Sequence, residues 1–512
     1  MGTVRIMFYE GHIRNWRELC SELSVPHKFE RDKREHFIIL RGYQKWGENL
    51  PKHLFGMFSF AINDNGYIFG ARDHFGIKPF YYCELENELL LSANIHNILE
   101  NSSYQKLLDP TVLQYYLSFS YVPGRKTLFS GIQKLMPGEI LIYANGKLKT
   151  EKYWEPRYNI DEGKSLSEWA EILHGTMEKV MGEIVEPDEI DESIVMLSAG
   201  VDSSYILAAS NINKSCTVGF FEKEYDESKA AYSNAIILGR QNYITRLSKE
   251  AFLENVRSAI KTLGLPIGTP ATIAYKVGCE LASKHAKIFL SGEGADEFFC
   301  GYDVYKLPDI LTNVKEEYIG KANIMSEAIK QSILKKYITN LPSTSAITDL
   351  YSSQTDLDVV TQMSNVDIRV WLEGNSFLNV QRMSSAHGIE ARLPIVDVRI
   401  FEIVSQIPSK YKVRENANKL VFRKCAEKIL PIDVANREKN GFVIPMRYWL
   451  LSPLYESEII RAFTCESSRL IFNSDKLLDI YAEYKAGNLD LWKPIWNIYI
   501  FLIWYDIFFI TS

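Results

Sequence analysis

Paired cysteines are missing from this chain of 512 residues. Its seven cysteines stand apart at 20, 83, 216, 279, 300, 425 and 465, never as CxxC, and their number is odd. That spacing argues against a disulfide framework and a structural zinc site, and fits free thiols in a reducing cytoplasm. The nine histidines form no HExxH-like pair, so a zincin-type centre is not expected either. Long basic runs are absent and the formal net charge is −6, which speaks against nucleic acid as a partner. Long apolar runs are scarce. The start, MGTVRIMFYEGHIRNW, has no apolar stretch of signal-peptide length, and Ile6 stands where a myristoylation signal needs Ser or Thr. The one membrane-like stretch, WKPIWNIYIFLIWYDIFF (492–509), holds Pro494 near its start and is broken by Asn497 and Asp506. A buried terminal helix is expected there, with no membrane partner. No repeat of fixed period occurs.

What the chain does have is length and apolar mass. With 46% hydrophobic and 24% charged residues it reads as an ordinary globular protein with several cores. Through about residue 155, short apolar runs alternate with turn signals: HFIILRGY, MFSFAINDNGYIFGARD, FYYCELENELLLSA, GEILIYANGKLKTEKYW. Two of these carry Asn-Gly between apolar strands, the signature of a hairpin. This part is expected to be mostly antiparallel sheet, with a few helices such as 109–118. From about 165 the period changes. SEWAEILHGTMEKVMGEIV (167–185) repeats at helical spacing. Strand SIVML (193–197), helix 203–210, strand CTVGFF (216–221), helix 227–238 and strand AKIFL (286–290) then alternate. Such alternation predicts a parallel, doubly wound sheet. Beyond 300 the pattern is almost wholly helical. RYNIDEGKSL (157–166) is the expected linker, giving domains 1–156 and 165–512.

In an open parallel sheet, ligands sit where strand ends feed helix starts. LSAGVDSS (197–204) is at such an end. Small residues let main-chain N–H groups approach an anion, and Ser198, Ser203 and Ser204 add hydroxyls. Asp202 suits a magnesium ion carried by that anion. A serine N-cap with an Asx-type turn is the plain alternative. A second strand end, SGEGADEFF (291–299), repeats the arrangement, and two such ends in one sheet could place Asp202 and Asp296 on one Mg²⁺. At 437–445, REKNGFVIP brings Arg437 and Lys439 before a glycine; such cations are usually solvated, but facing a nucleotide they can hold developing charge.

In this order, the three pieces resemble the glutamine-dependent asparagine synthetase family, and the likeness runs over nearly the whole chain. FLSGEGADEFFCGY (289–302), TVGFFEKEYDES (217–228) and MSSAHGIEARLPIVD (383–397) match family blocks. So do LFGMFSFAI (54–62), ARDHFGIKPFYY (71–82), YVPGRKTLFSGIQKLMPGE (121–139) and KYWEP (152–156). The resemblance implies a glutamine amidotransferase-like antiparallel β-sandwich of the N-terminal-nucleophile kind, then an ATP-pyrophosphatase-type synthetase domain with a helical C-terminal part. It implies that a carboxylate attacks the α-phosphate of ATP, that pyrophosphate leaves, and that ammonia or another amine opens the acyl-adenylate. ATP and Mg²⁺ are the implied cofactors, and a small-molecule or peptide carboxylate the implied substrate. Residue by residue, Ser198, Ala199, Gly200, Asp202, Ser203 and Ser204 fall on the pyrophosphate loop, and Asp202 and Asp296 on the metal. Leu197, Val218, Ser291 and Gly292 fall on nucleotide contacts. Glu293 matches the acid that takes a proton from the amine, and Lys439 the lysine that steadies adenylation. Arg437, Lys419 and Arg423 support them.

The departures matter as much. The family's glutaminase nucleophile is a cysteine next to the initiator Met, where this chain has Gly2. MFYEGHIRNWREL (7–19) resembles a block that normally lies tens of residues further in. The family's NGE is Glu10-Gly11-His12 here, and its SDTE is Arg34-Glu35-His36-Phe37. The amidotransferase part is therefore expected to be degenerate, without its first strands or nucleophile, as in β-lactam synthetase and lasso-peptide cyclases. A separate polypeptide completing it, and a homodimer, stay open. Ala199 replaces a loop glycine. TLGLPIGTPATIA (262–274) has Gly264, Leu265 and Thr269 where the family carries acids, and Gln381 replaces Asp or Asn; free aspartate is thereby disfavoured as substrate. A lactam or macrolactam synthetase and a non-catalytic nucleotide-binding partner in a biosynthetic complex are the alternatives. An enzyme of tRNA or sulfur modification would want reactive cysteines near the loop, where only Cys216 and Cys300 lie.

Overall fold

The computed structural model describes residues 4–86, 88–306, 318, 320, 324–337, 342–352, 356–437 and 443–511. Two compact units emerge. The first gathers the chain to Asp109, Gly124–Asp161 and Val396–Gln406; the second holds Pro110–Pro123, Glu162–Ile395 and Ile407 onward. The sequence boundaries at 156 and 165 run each domain as one stretch, whereas the units exchange two short segments.

The first unit is built on β1 (Arg5–Ile13), β2 (Gly56–Asp64), β3 (Tyr67–Arg72), β4 (Tyr81–Glu84), β5 (Leu89–Ser92), β6 (Ile132–Lys134), β7 (Glu139–Ala144) and β8 (Lys147–Lys152). They form two antiparallel sheets, ordered β1-β2-β3-β7-β8 and β5-β4-β6. Both Asn-Gly pairs turn as their sequence demands. Asn65 and Gly66 join β2 to β3, Asn145 and Gly146 join β7 to β8, and all four have φ between 53° and 92°. That left-handed pair is what a two-residue hairpin needs to match strand twist.

Alternation then sorts the side chains. Phe58, Phe60 and Ile62 of β2 join Trp16, Leu19, Ile38 and Ile39 from helices Trp16–Leu23 and Arg31–Trp46 in one buried cluster. Ala61, between them in sequence, instead meets Phe80, Tyr82 and Leu89 of the smaller sheet. Period-two alternation sends neighbours to opposite faces, so the larger sheet lies between helices and a second sheet. The segment 396–406 completes this unit. Its Asp397 receives Arg14 Nη1 at 2.6 Å, both side chains fully buried, and caps the helix Val398–Val404 through Arg399 N.

The second unit is organised by β9 (Ser193–Met196), β10 (Lys214–Phe220), β11 (Gln241–Leu247), β12 (Ile288–Leu290) and β13 (Glu390–Arg392), all parallel in the order β11-β10-β9-β12-β13. The chain winds one way from β9 to β11 and the other way from β12 to β13, so the strand order reverses between β9 and β12. Crevices at such reversals bind ligands in open α/β sheets. Helix Leu166–Ile184 starts at a full capping box, Ser165 with Glu168. The C-terminal apolar helix, Trp492–Tyr505, buries Ile495, Trp496, Ile498, Ile500 and Phe501 completely. Among the described residues, the stretch 489–510 that contains it is long and apolar enough to cross a membrane, but it is largely buried and packs as a core helix. Helix Leu113–Phe119 belongs to this unit too: Tyr116 OH donates to Asn497 O at 3.0 Å.

Candidate active site

The loops after β9 and β12 meet at the reversal. The chain leaves β9 held by Leu197 N donating to Cys216 O at 2.8 Å, and Thr217 Oγ1 donates to Leu197 O at 2.8 Å. It then turns tightly into helix Val201–Ala209. Inside the turn Ser198 N donates to Ser203 Oγ at 3.0 Å, Gly200 N to Ser198 Oγ at 3.2 Å, and Ser204 Oγ to Gly200 O at 2.9 Å. Behind it, Asn234 Nδ2 donates to Ser204 Oγ at 3.0 Å and to Ala199 O at 3.3 Å. The loop is thus braced from behind while the helix start contributes partial positive charge.

Asp202 and Asp296 converge on one cation. The Lys419 ammonium lies 2.6 Å from Asp202 Oδ2 and 2.7 Å from Asp296 Oδ1, with the lysine side chain 2% exposed. Two glycines permit the approach. A Cβ on Gly292 would stand 3.2 Å from Asp202 Cβ, and one on Gly301 would overlap Asp296 Oδ1 and Lys419 Cε. Among the described residues no three His, Cys, Asp or Glu side chains are grouped to hold a metal by themselves. Two carboxylates that share one cation, completed by phosphate oxygens, are a donor set that fits magnesium.

The cleft beside them has a volume of about 490 Å³. Leu197, Ser198, Asp202, Ser203, Val218, Ser291, Gly292, Glu293 and Asp296 line it, each singled out by the sequence. Ala199, Gly200 and Ser204 stand in the turn without lining it; Ala199 is 6% exposed, so its extra methyl packs inward. Arg437 and Arg423 do not line the cleft. Arg437 Nη1 donates to Asn234 Oδ1 at 2.8 Å, while Arg423 donates to the main-chain oxygens of Asn418, Ala435 and Arg437, each at 2.9 Å. Their guanidinium groups brace the turn at 198–204, through Asn234, and the chain at 435–437. Lys439 lies outside the described residues. Of the positions where family acids or amides are replaced, Thr269 lines the cleft. Gly264 caps helix Lys249–Leu263 with φ 76°, and Gln381 is buried with Nε2 3.5 Å from Ala391 O.

Several lining residues escaped the sequence reading: Thr217, Tyr275, Tyr302, Trp371, Asn375, Ser376, Asn379 and Asn418. Tyr275 OH bonds Ser291 Oγ, and Glu293 N donates to that same oxygen at 3.4 Å. Burial, reinforced by the Glu293 charge, holds the Tyr275 phenol well above its usual range, so it stays protonated. Tyr302 OH donates to buried Glu297 at 2.5 Å. The nearby thiols are inert: burial pushes Cys216 and Cys300 up to about 12.

A serine-rich turn into a buried helix start at the reversal of a parallel sheet, with paired acids on one cation, is the arrangement of a nucleotide-dependent α/β enzyme. The family model for asparagine synthase matches residues 192–506, and that for a glutamine amidotransferase domain matches residues 2–154. The chain belongs to the asparagine synthase family, and it is a carbon–nitrogen ligase that uses ATP and gives AMP and pyrophosphate. Over 548 aligned residues it is 28% identical to asparagine synthetase (glutamine-hydrolysing) 1 of Bacillus subtilis, covering 98% of this chain and 85% of that protein. It is 26% identical over 561 residues to a putative asparagine synthetase of Mycobacterium tuberculosis, covering 98% and 84%. To amidase chry2 of Gibberella zeae it is 24% identical over 542 residues, covering 89% and 80%. Among solved structures, glutamine phosphoribosylpyrophosphate amidotransferase of B. subtilis matches 48% of this chain and 46% of its own at 15% identity and a TM-score of 0.22.

Proposed function

We propose that the cleft between β9 and β12 adenylates a substrate carboxylate and passes the acyl group to ammonia or another amine. The observation that carries this is the shared cation: Asp202 and Asp296, from neighbouring strand ends, both reach the Lys419 ammonium. In this reading the two carboxylates hold the magnesium that ATP brings, and Lys419 keeps them together when the nucleotide is away. The turn at Ser198, Ala199, Gly200, Ser203 and Ser204 offers hydroxyls and main-chain N–H groups to pyrophosphate. Held by Asp202 and Asp296, magnesium would supply charge neutralisation for the phosphate oxygens during loss of pyrophosphate. Leu197, Val218, Ser291 and Gly292 flank the nucleotide. Glu293 lines the same cleft, placed to take a proton from the attacking amine, and Lys439 is assigned to adenylation by its position in the REKNGFVIP block. Arg437 and Arg423 act by bracing, since their guanidiniums are spent on Asn234 and main-chain oxygens.

Residues 1–156 are assigned to an amidotransferase-like domain without glutaminase activity, and 165–512 to the synthetase. The glutamine grip is what argues for the loss. Glu35, in the place of the family's SDTE aspartate, is 1% exposed and accepts Tyr9 OH at 2.6 Å and Ile13 N at 2.8 Å. His12, in the place of the family's pocket glutamate, is wholly buried beside it. Those groups serve packing. Ammonia or an amine then comes from solution or from a separate polypeptide, and the expected site of action is the cytoplasm.

The test is carboxylate-dependent exchange of labelled pyrophosphate into ATP over a panel of amino-acid, acyl-amino-acid and peptide carboxylates. Exchange that falls at least ~10³-fold in Asp202→Asn and Asp296→Asn supports the assignment. Exchange that survives either change overturns the metal assignment, and a wild-type protein silent across the panel overturns adenylation.

A further inference from the structure

One stretch of the cleft is neutral and already wired. The helical turns from Asp367 to Ala386 contribute Trp371, Asn375, Ser376 and Asn379 to its wall. Asn375 and Asn379 are one turn apart and share a face. Thr269 Oγ1 donates to Asn375 Oδ1 at 2.7 Å, Asn379 Nδ2 donates to that oxygen at 3.3 Å, and Thr272 Oγ1 donates to Asn379 Oδ1 at 2.9 Å. Both side-chain oxygens are therefore spent inside the protein. Reversing Asn375 alone would set its Nδ2 against the Nδ2 of Asn379. What Asn375 has left for the cleft is its NH₂ edge, on a residue only 2% exposed. That edge is at the cleft wall, and a ligand that fills the cleft and displaces water from it keeps the donor satisfied only by bringing an acceptor.

Charge narrows the ligand. Among the described residues that line the cleft there is no lysine, arginine or histidine, whereas five acids are present, Asp202, Glu227, Glu293, Asp296 and Asp303. Free aspartate activated at its side chain would bring a second carboxylate, and no lysine, arginine or histidine among these described lining residues is there to receive it. An amide carbonyl asks only for a neutral donor, and burying it against an N–H is far cheaper than burying an unpaired charge.

We propose that Asn375 donates to an amide carbonyl of the substrate, so that the activated carboxylate belongs to an N-acylated amino acid or a peptide and not to a free amino acid. This rests on the carboxylate-activating reading of the cleft and narrows its substrate class. The test compares pyrophosphate exchange driven by N-acetyl-L-aspartate N-methylamide, by an N-acetylated, C-amidated pentapeptide with a single Asp, by L-aspartate and by propionate. The diamide or the pentapeptide should exceed aspartate and propionate at least ~10-fold in kcat/KM, and the better of the two names the source. Asn375→Asp keeps an acceptor for Thr269 and Asn379 but removes the donor edge; it should cut that preference by about 10–100-fold, with Mg·ATP binding by calorimetry unchanged. Aspartate or propionate matching the amide probes, or a preference retained by Asn375→Asp, overturns the proposal. A protein that binds Mg·ATP yet exchanges with neither amide probe also overturns it. A protein that binds no Mg·ATP and exchanges with nothing fails earlier, at adenylation.

Discussion

Replacing Lys419 by methionine removes the ammonium shared by Asp202 and Asp296 while keeping a side chain of similar reach. The ion pairs are 2.6 and 2.7 Å long, so the two carboxylate oxygens can be no more than about 5.3 Å apart. Their side chains are only 10% and 13% exposed. With an effective dielectric of about 20, two like charges at that distance repel by about 3 kcal/mol. Breaking a buried pair by deleting one partner costs a similar ~3–5 kcal/mol. Lys419 has a left-handed backbone, φ 56°, but methionine suffers the same strain, so that contribution cancels. Lys419→Met in EDTA should therefore lose about 3 kcal/mol, read as a lower urea midpoint with an unchanged slope. Adding Mg²⁺ and ATP should narrow the gap from wild type, because a divalent cation then neutralises the pair. Equal midpoints in EDTA, or a gap that Mg·ATP leaves untouched, would refute the idea that these acids are poised around one cation site.

Gly301→Ala should reproduce the loss of the Asp296 carboxylate without touching it, because the added methyl overlaps both Asp296 Oδ1 and Lys419 Cε; pyrophosphate exchange should fall at least ~10-fold, and normal exchange would show that the loop yields. His74 supplies a pH signature in the first unit. Burial holds it down to about 4, against the pull of Asp397. The unfolded chain takes up its proton near 6.5, so stability should decline as pH falls from about 6.5 to about 4, by ~3 kcal/mol in all. His74→Phe, among the rings of Phe58, Tyr153 and Trp154, should flatten that part of the profile in urea titrations. Glu35→Gln should cost about 1–2 kcal/mol by spoiling the hydrogen bond from Tyr9 OH or from Ile13 N; a thermal midpoint equal to wild type would mean the carboxylate is not a structural acceptor.

Local signals carried the reading a long way. The two Asn-Gly turns, the hydrophobic alternation of β2 and the strand-to-helix turn at 197–204 each follow from backbone sterics that a few residues specify. Pairing of Asp202 with Asp296 was legible because both acids follow small residues at strand ends, and parallel winding puts such ends together. What stayed hidden depends on distant partners. The edge strand β11, QNYITRL, leaves six of its seven residues exposed or half-buried, and β13 is three residues long. Arg423 and Arg437 look from sequence like cations for an anion, but a long guanidinium side chain reaches several directions, and here main-chain oxygens and Asn234 take it. Asn375 and Asn379 sit in helical turns whose sequence, WLEGNSFLNVQ, reads as ordinary core; only the neighbours Thr269 and Thr272, over 100 residues away, turn them into a wall.

The Arg14–Asp397 pair bridges 383 positions of sequence. A ribosome working from the amino terminus leaves that guanidinium without its counter-ion until most of the polypeptide has emerged, so the amino-terminal unit cannot reach its final packing early in synthesis. A gene divided at the linker would strand the arginine for good. Fusions, swaps or split versions of this protein must carry the 396–406 strap along with the half it serves.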